Sequence, residues 1–138
     1  MKNLFVLMVI LLTSCSTSIY KIKTECEKTN DEIIRELSKL LLQEDFSITK
    51  SDLSMGYIEG ESLPTKLAFV GLCTKQWSFA INNGVITAYA KLLIINEYGT
   101  VTDTKYYYDN APVEWSWYWN IRNGLQNICG HNVIFIIN

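Results

Sequence analysis

The stretch QWSFAINNGVITAYAKLLIIN, residues 76–96, decides the fold. Two runs rich in apolar, β-branched and aromatic residues flank Asn83-Gly84. An Asn-Gly pair in that setting is a strong short-range hairpin signal, because a type I′ turn needs positive φ at both central positions. Gln76 to Asn82 therefore forms one strand and Val85 to Asn96 a second, longer one. The hairpin commits the domain to an antiparallel sheet.

Working outward, Glu97-Tyr98-Gly99 turns the chain and Thr100 to Asp109 returns as a strand. Thr102, Thr104, Tyr106 and Tyr108 share one of its faces. Upstream, Phe46-Ser47-Ile48-Thr49 begins an alternating run, and Leu53, Met55 and Tyr57 continue the alternation. Gly56 and Gly60 mark bulges or a bend in it. Ser62-Leu63-Pro64-Thr65 breaks the run. Lys66 to Cys73 fits a strand or a short helix equally.

Helices bracket these strands. Thr29 with Glu32 three residues on is a capping box. Ile33, Ile34, Leu37, Leu40 and Leu41 follow at helical spacing, opposite Arg35, Lys39 and Gln43. The helix should end near Glu44. A second helix follows Asn110, its cap, with Pro112 in the first turn where a missing N–H costs nothing. Trp117, Ile121, Leu125 and Ile128 form its apolar stripe, and Gly130 suits the left-handed residue past its end. Val133 to Ile137 closes the chain as a last strand. Strands grouped between helices predict an α+β fold. The expected architecture is a two-layer sandwich, with an antiparallel sheet of about four strands and two helices on one face.

The N-terminal residues read separately. Lys2 precedes nine apolar residues, Leu4 to Leu12. A membrane-spanning helix needs about 20, so the run fits the h-region of a secretory signal. Leu12-Thr13-Ser14-Cys15 follows it and resembles the bacterial lipobox, although the n-region holds a single basic residue. That resemblance implies cleavage before Cys15 and diacylglycerol on its thiol. One acyl chain holds a protein only marginally, whereas two or three on one residue attach it for good. By the same resemblance, Ser16 after the Cys favours the outer membrane facing the periplasm. The implied organisation is a signal peptide over 1–14, a lipidated Cys and tether over 15–23, and one domain over 24–138. Ile19, Tyr20 and Ile22 within the tether could also pair as a strand.

With Cys15 lipidated, Cys26, Cys73 and Cys129 remain. Disulfides persist outside the cytosol, and three thiols leave one over. Cys26 lies on the approach to the first helix and can reach Cys129 at the end of the second, although antiparallel packing is not expected to force those ends together. Cys73 sits in an apolar run and reads as an ordinary buried residue. Cys129-Gly130-His131 with the other thiols lacks the close pairing of a zinc site, so no metal is expected.

The full chain has 138 residues and a formal charge of −2. Nucleic-acid binders usually carry a basic surplus, which argues against that class. His131 is the single histidine, so a Ser or Cys nucleophile would have no His base beyond it. Glu59 and Glu61 share a strand face and read as solvated carboxylates rather than a glycosidase pair. No cofactor motif occurs. The chain is therefore expected to be non-enzymatic.

The most suggestive binding feature is Trp115-Ser116-Trp117-Tyr118-Trp119. On a helical wheel Trp117 points inward with Ile121. Trp119 points away, flanked by Trp115 and Arg122, and exposed aromatics beside Arg are enriched at binding hot spots. The expectation is an envelope lipoprotein that binds a protein or glycan partner through Trp115, Trp119 and Arg122. An inhibitor or immunity lipoprotein acting against a periplasmic hydrolase is the other candidate.

Overall fold

A computed structural model describes residues 20–68, 70–106 and 116–137. The signal segment, Cys15, the capping residues Asn110 and Pro112, Tyr107 to Asp109, and Trp115 lie outside the described residues. The element order is β1 (Tyr20–Glu25), α1 (Asn30–Gln43), β2 (Phe46–Asp52), β3 (Tyr57–Ser62), β4 (Thr65–Leu67), β5 (Gly71–Asn82), β6 (Val85–Ile95), β7 (Val101–Tyr106), α2 (Ser116–Cys129) and β8 (Ile134–Ile137). The architecture is α+β, and every strand pairing is antiparallel.

The β5–β6 hairpin is the spine. It pairs without a break from Asn82↔Val85 to Cys73↔Ile94. Asn83 and Gly84 both have positive φ, at 49° and 75°, as a type I′ turn demands. A side chain at Gly84 would also meet the Cys26 carbonyl at 2.7 Å, while the Cys26 N–H donates to the Gly84 carbonyl. The strand order is β2-β3-β5-β6-β1-β8. Both spine strands outrun their neighbours, so β4 pairs with the start of β5 and β7 with the end of β6.

The described sheet thus has eight strands, not about four. Three local features hid the others. Residues assigned to a tether over 15–23 include the start of β1, which pairs with both β6 and β8. The alternation of Leu53, Met55 and Tyr57 imitates one strand, but Leu53 and Met55 are exposed in a turn between β2 and β3. Asp52 holds that turn by accepting from the Ser54 hydroxyl and the Met55 N–H. Those bonds favour the ionised carboxyl and depress its pKa. Residues 66–73 are neither one strand nor a helix: β4 ends at Leu67 and β5 begins at Gly71. The bulge falls between Ile48 and Lys50, not at either glycine. Gly56 closes the turn, and Gly60 lies under Leu41.

The first helix forms as its sequence predicts. The Thr29 hydroxyl accepts from the Glu32 N–H, and the Glu32 carboxylate accepts from the Thr29 N–H. Ile33, Ile34, Leu37 and Leu41 are buried. On α2, Trp117, Tyr118, Ile121 and Leu125 are buried. Gly130 follows with φ 70°, and its N–H reaches the Gln126 carbonyl at 2.8 Å. These two stripes share one apolar cluster with Ile86, Ala88, Ala90 and Leu92, the alternate residues of β6. Trp77 sits at the centre of it. Its ring stacks on Phe79 and on Tyr118, and meets Trp117 edge-on.

Candidate functional site

Helix α2 presents Trp119 and Arg122 of the residues expected to bind a partner, while Trp115 lies outside the described residues. Trp119 is 42% exposed, while Trp117 turns inward. The Arg122 guanidinium lies 5.2 Å from the Trp119 ring centre, and its Nη2 donates to the Val133 carbonyl at 3.2 Å. Arg122 therefore clasps α2 to the approach to β8 and steadies Trp119. Beside this pair, a groove of about 650 Å³ runs between the helices, edged by Glu36, Glu44, Asn120, Asn123 and Asn127. Asn120 donates to Glu44 across its end. The helices are antiparallel, so the start of α1 lies beside the end of α2. A disulfide joins Cys26 to Cys129 there, with Cα atoms 4.5 Å apart. The pairing is the one the sequence offered, and antiparallel packing, rather than the reach of the Cys26 approach alone, is what brings the two cysteines together.

Cys73 is fully buried, and that burial pushes its thiol pKa up. A thiol kept protonated is a poor nucleophile. His131 is exposed. Among the described residues no group of three metal-ligating side chains occurs, and no helix is long and apolar enough to cross a membrane.

The sheet face turned away from the helices holds a second arrangement. The register sets Glu61 opposite Gln76 and Glu59 opposite Ser78. Gln76 Nε2 donates to Glu61 at 2.5 Å and to Glu59 at 3.2 Å, which uses both amide hydrogens. Glu59 also accepts from the hydroxyls of Tyr57, Ser78 and Thr49 at 2.7, 3.4 and 3.2 Å. Burial first, then the Glu59 hydrogen bond and charge, push the Tyr57 pKa up to about 12 against an opposing bond with Ser78. Gln76 is only 5% exposed, and its Oε1 is buried with no protein donor among the described residues. Lys91 lies opposite Gln76 on β6. The Tyr89 and Tyr106 rings sit nearby with centres 6.1 Å apart.

Glu59 and Glu61 are thus fixed members of a network rather than free carboxylates. The sequence places polar Gln76 and Ser78 two apart, as it does the two glutamates. Only the register between β3 and β5 brings the pairs together. Compared with known protein families, with curated proteins and with solved structures, the chain matches none.

Proposed function

We propose that the chain is a non-enzymatic, lipid-anchored protein of the bacterial cell envelope that binds a glycan on the second face of its sheet. The lipobox-like Leu12-Thr13-Ser14-Cys15 supports the anchor. The single observation that carries the binding reading is the fixed polar network of Glu59, Glu61 and Gln76 beside the Tyr89 and Tyr106 rings on one sheet face.

Glu59 and Glu61 are partly exposed, and their carboxylates can accept from sugar hydroxyls. Lys50 and Lys91 lie over the Tyr57 and Tyr89 rings at 5.2 and 5.9 Å and balance the two glutamates. The patch therefore has no net charge with which to attract a cation. Tyr89 and Tyr106 offer ring faces for a sugar to stack on. Trp119 and Arg122 lie on another part of the molecule.

Two measurements test this. Metabolic labelling with a fatty acid should mark the protein, and Cys15→Ala should abolish the mark. Titrating N-acetylglucosamine tetrasaccharide into the full chain in detergent micelles should shift the Gln76 side-chain amide resonances. Gln76→Met should lose that binding while keeping the native circular dichroism. Equal binding by Gln76→Met, or none by the wild type at 20 mM tetrasaccharide (~20 mM being far above ordinary glycan affinities), refutes the glycan site.

A further inference from the structure

The strand register shows which loops share an end of the molecule. Ile22 is level with Ala88 and Glu25 with Val85, so the chain enters β1 from the side toward which β6 runs. Cys73↔Ile94, Leu67↔Gly71 and Ile95↔Val101 place the β4–β5 connection and the β6–β7 turn at that end. Phe46↔Ser62 adds the α1–β2 junction. The Asn120–Glu44 bond adds the first turn of α2.

Nine large apolar side chains are exposed among the described residues, and six lie at this one end: Leu42, Leu63, Leu72, Tyr98, Val101 and Trp119. They come from several separate connections and element ends, so no single loop accounts for the grouping. Tyr98 is 84% exposed and Leu63 78%. Leu53 and Met55 lie at the opposite end, and Ile134 on β8. Single exposed apolar residues are ordinary, but apolar surface gathered in one region marks an interaction site.

We infer that this end rests in the lipid–water interface of the bilayer that holds the acyl chains of Cys15; the inference rests on the anchor reading above. Chain length supports it. From the level of Ile22 to the end of β6 at Ile95 is seven residues, about 23 Å of strand at ~3.3 Å each. The seven residues from Ile22 back to Cys15 span at most about 25 Å. With its strands directed at the membrane, the domain has no room for a protein layer between this end and the lipid.

The residue types also agree. Trp and Tyr favour the headgroup layer, where an apolar ring and a polar tip are both accommodated. Leu63, Leu72 and Val101 supply the apolar contact. Charge does not drive the docking, because Glu44, Asp45 and Glu97 oppose Lys66 at this end.

The test uses the acylated full chain in phospholipid nanodiscs containing a nitroxide-headgroup lipid. The Trp119 indole and the backbone amides of Leu63 and Tyr98 should lose more than half their NMR intensity. Amides of Met55 and Asn83 should keep theirs. In Tyr98→Ser/Trp119→Ser the loss at Leu63 should fall severalfold, and 0.5 M NaCl should leave the wild-type pattern unchanged. Mass spectrometry of the same sample reads the anchor separately. An unacylated wild-type chain overturns the anchor and with it this inference. An acylated chain broadened evenly, or broadened at Met55, overturns the orientation alone.

Discussion

The Cys26–Cys129 bond closes nearly the whole described domain, with a sequence separation of 103. In the chain-entropy account, a cross-link over about 100 residues removes enough freedom from the unfolded chain to contribute about 4.7 kcal/mol at 25 °C. Small domains are stable by roughly 5–15 kcal/mol, so this bond is a large share of the total. The perturbation is Cys26→Ala/Cys129→Ala, compared with the oxidised wild type by urea unfolding. Cys26 is buried and Cys129 partly so, which adds a smaller loss from the missing sulfurs. The double variant should lose about 4–6 kcal/mol, mostly through its unfolded state. The urea dependence should steepen as well, because a chain free of the cross-link exposes more surface on unfolding. Alkylation of the unfolded, unreduced wild type should modify Cys73 and spare Cys26 and Cys129. A loss below about 1 kcal/mol with unchanged urea dependence, or alkylation of all three, would refute the reasoning.

Three further outcomes follow from local geometry. A methyl group at Gly124 would run into the Leu40 side chain. Gly124→Ala should therefore destabilise by about 1 kcal/mol, yet stabilise by about 1 kcal/mol in a Leu40→Ala background, where only helix propensity is left; a double-mutant unfolding cycle reads this. Thr29→Ala removes one half of the capping box and should cost about 1 kcal/mol in the same assay. Tyr57 should ionise late, near pH 12. Because its folded pKa is raised, the stabilisation is complete below pH ~10 and is lost as pH climbs toward 12. In an ultraviolet titration, Tyr57→Phe should remove one tyrosine's worth of the late-ionising absorbance.

Local signals were legible where they act over a few residues. Asn83-Gly84, the Thr29–Glu32 box, the α1 stripe and Gly130 each carry their own conformational cause. What stayed hidden depends on partners distant in sequence. Ile19, Tyr20 and Ile22 allow a strand as well as a tether, and the choice is made by the ladders that β6 and β8 supply. Leu53 and Met55 alternate as a strand would, but Asp52 and Gly56 turn the chain instead. Glu59, Glu61, Gln76 and Ser78 are ordinary polar strand residues until the β3–β5 register aligns them. Buried Tyr118 beside exposed Trp119 shows how one residue of helix rotation separates core from surface.

The proposed anchor would act on the fold through β1. β1 lies between β6 and β8, so it is not an edge strand. A load applied at Tyr20 along the strand axis would shear the ladders on both sides together. At the far end of β1, the Cys26 N–H is held by Gly84 and the Cys26 sulfur by Cys129. Load entering at Tyr20 is thus passed to the hairpin and to α2 before it can reach the β2–β3 hairpin. Thr49, Tyr57, Glu59 and Glu61 belong to that hairpin, and Gln76 is held on β5 beside it. Of the proposed glycan face, Thr49, Tyr57, Glu59 and Glu61 are therefore shielded from that load, whereas Gln76, Tyr89 and Lys91 lie on the β5–β6 hairpin that receives it.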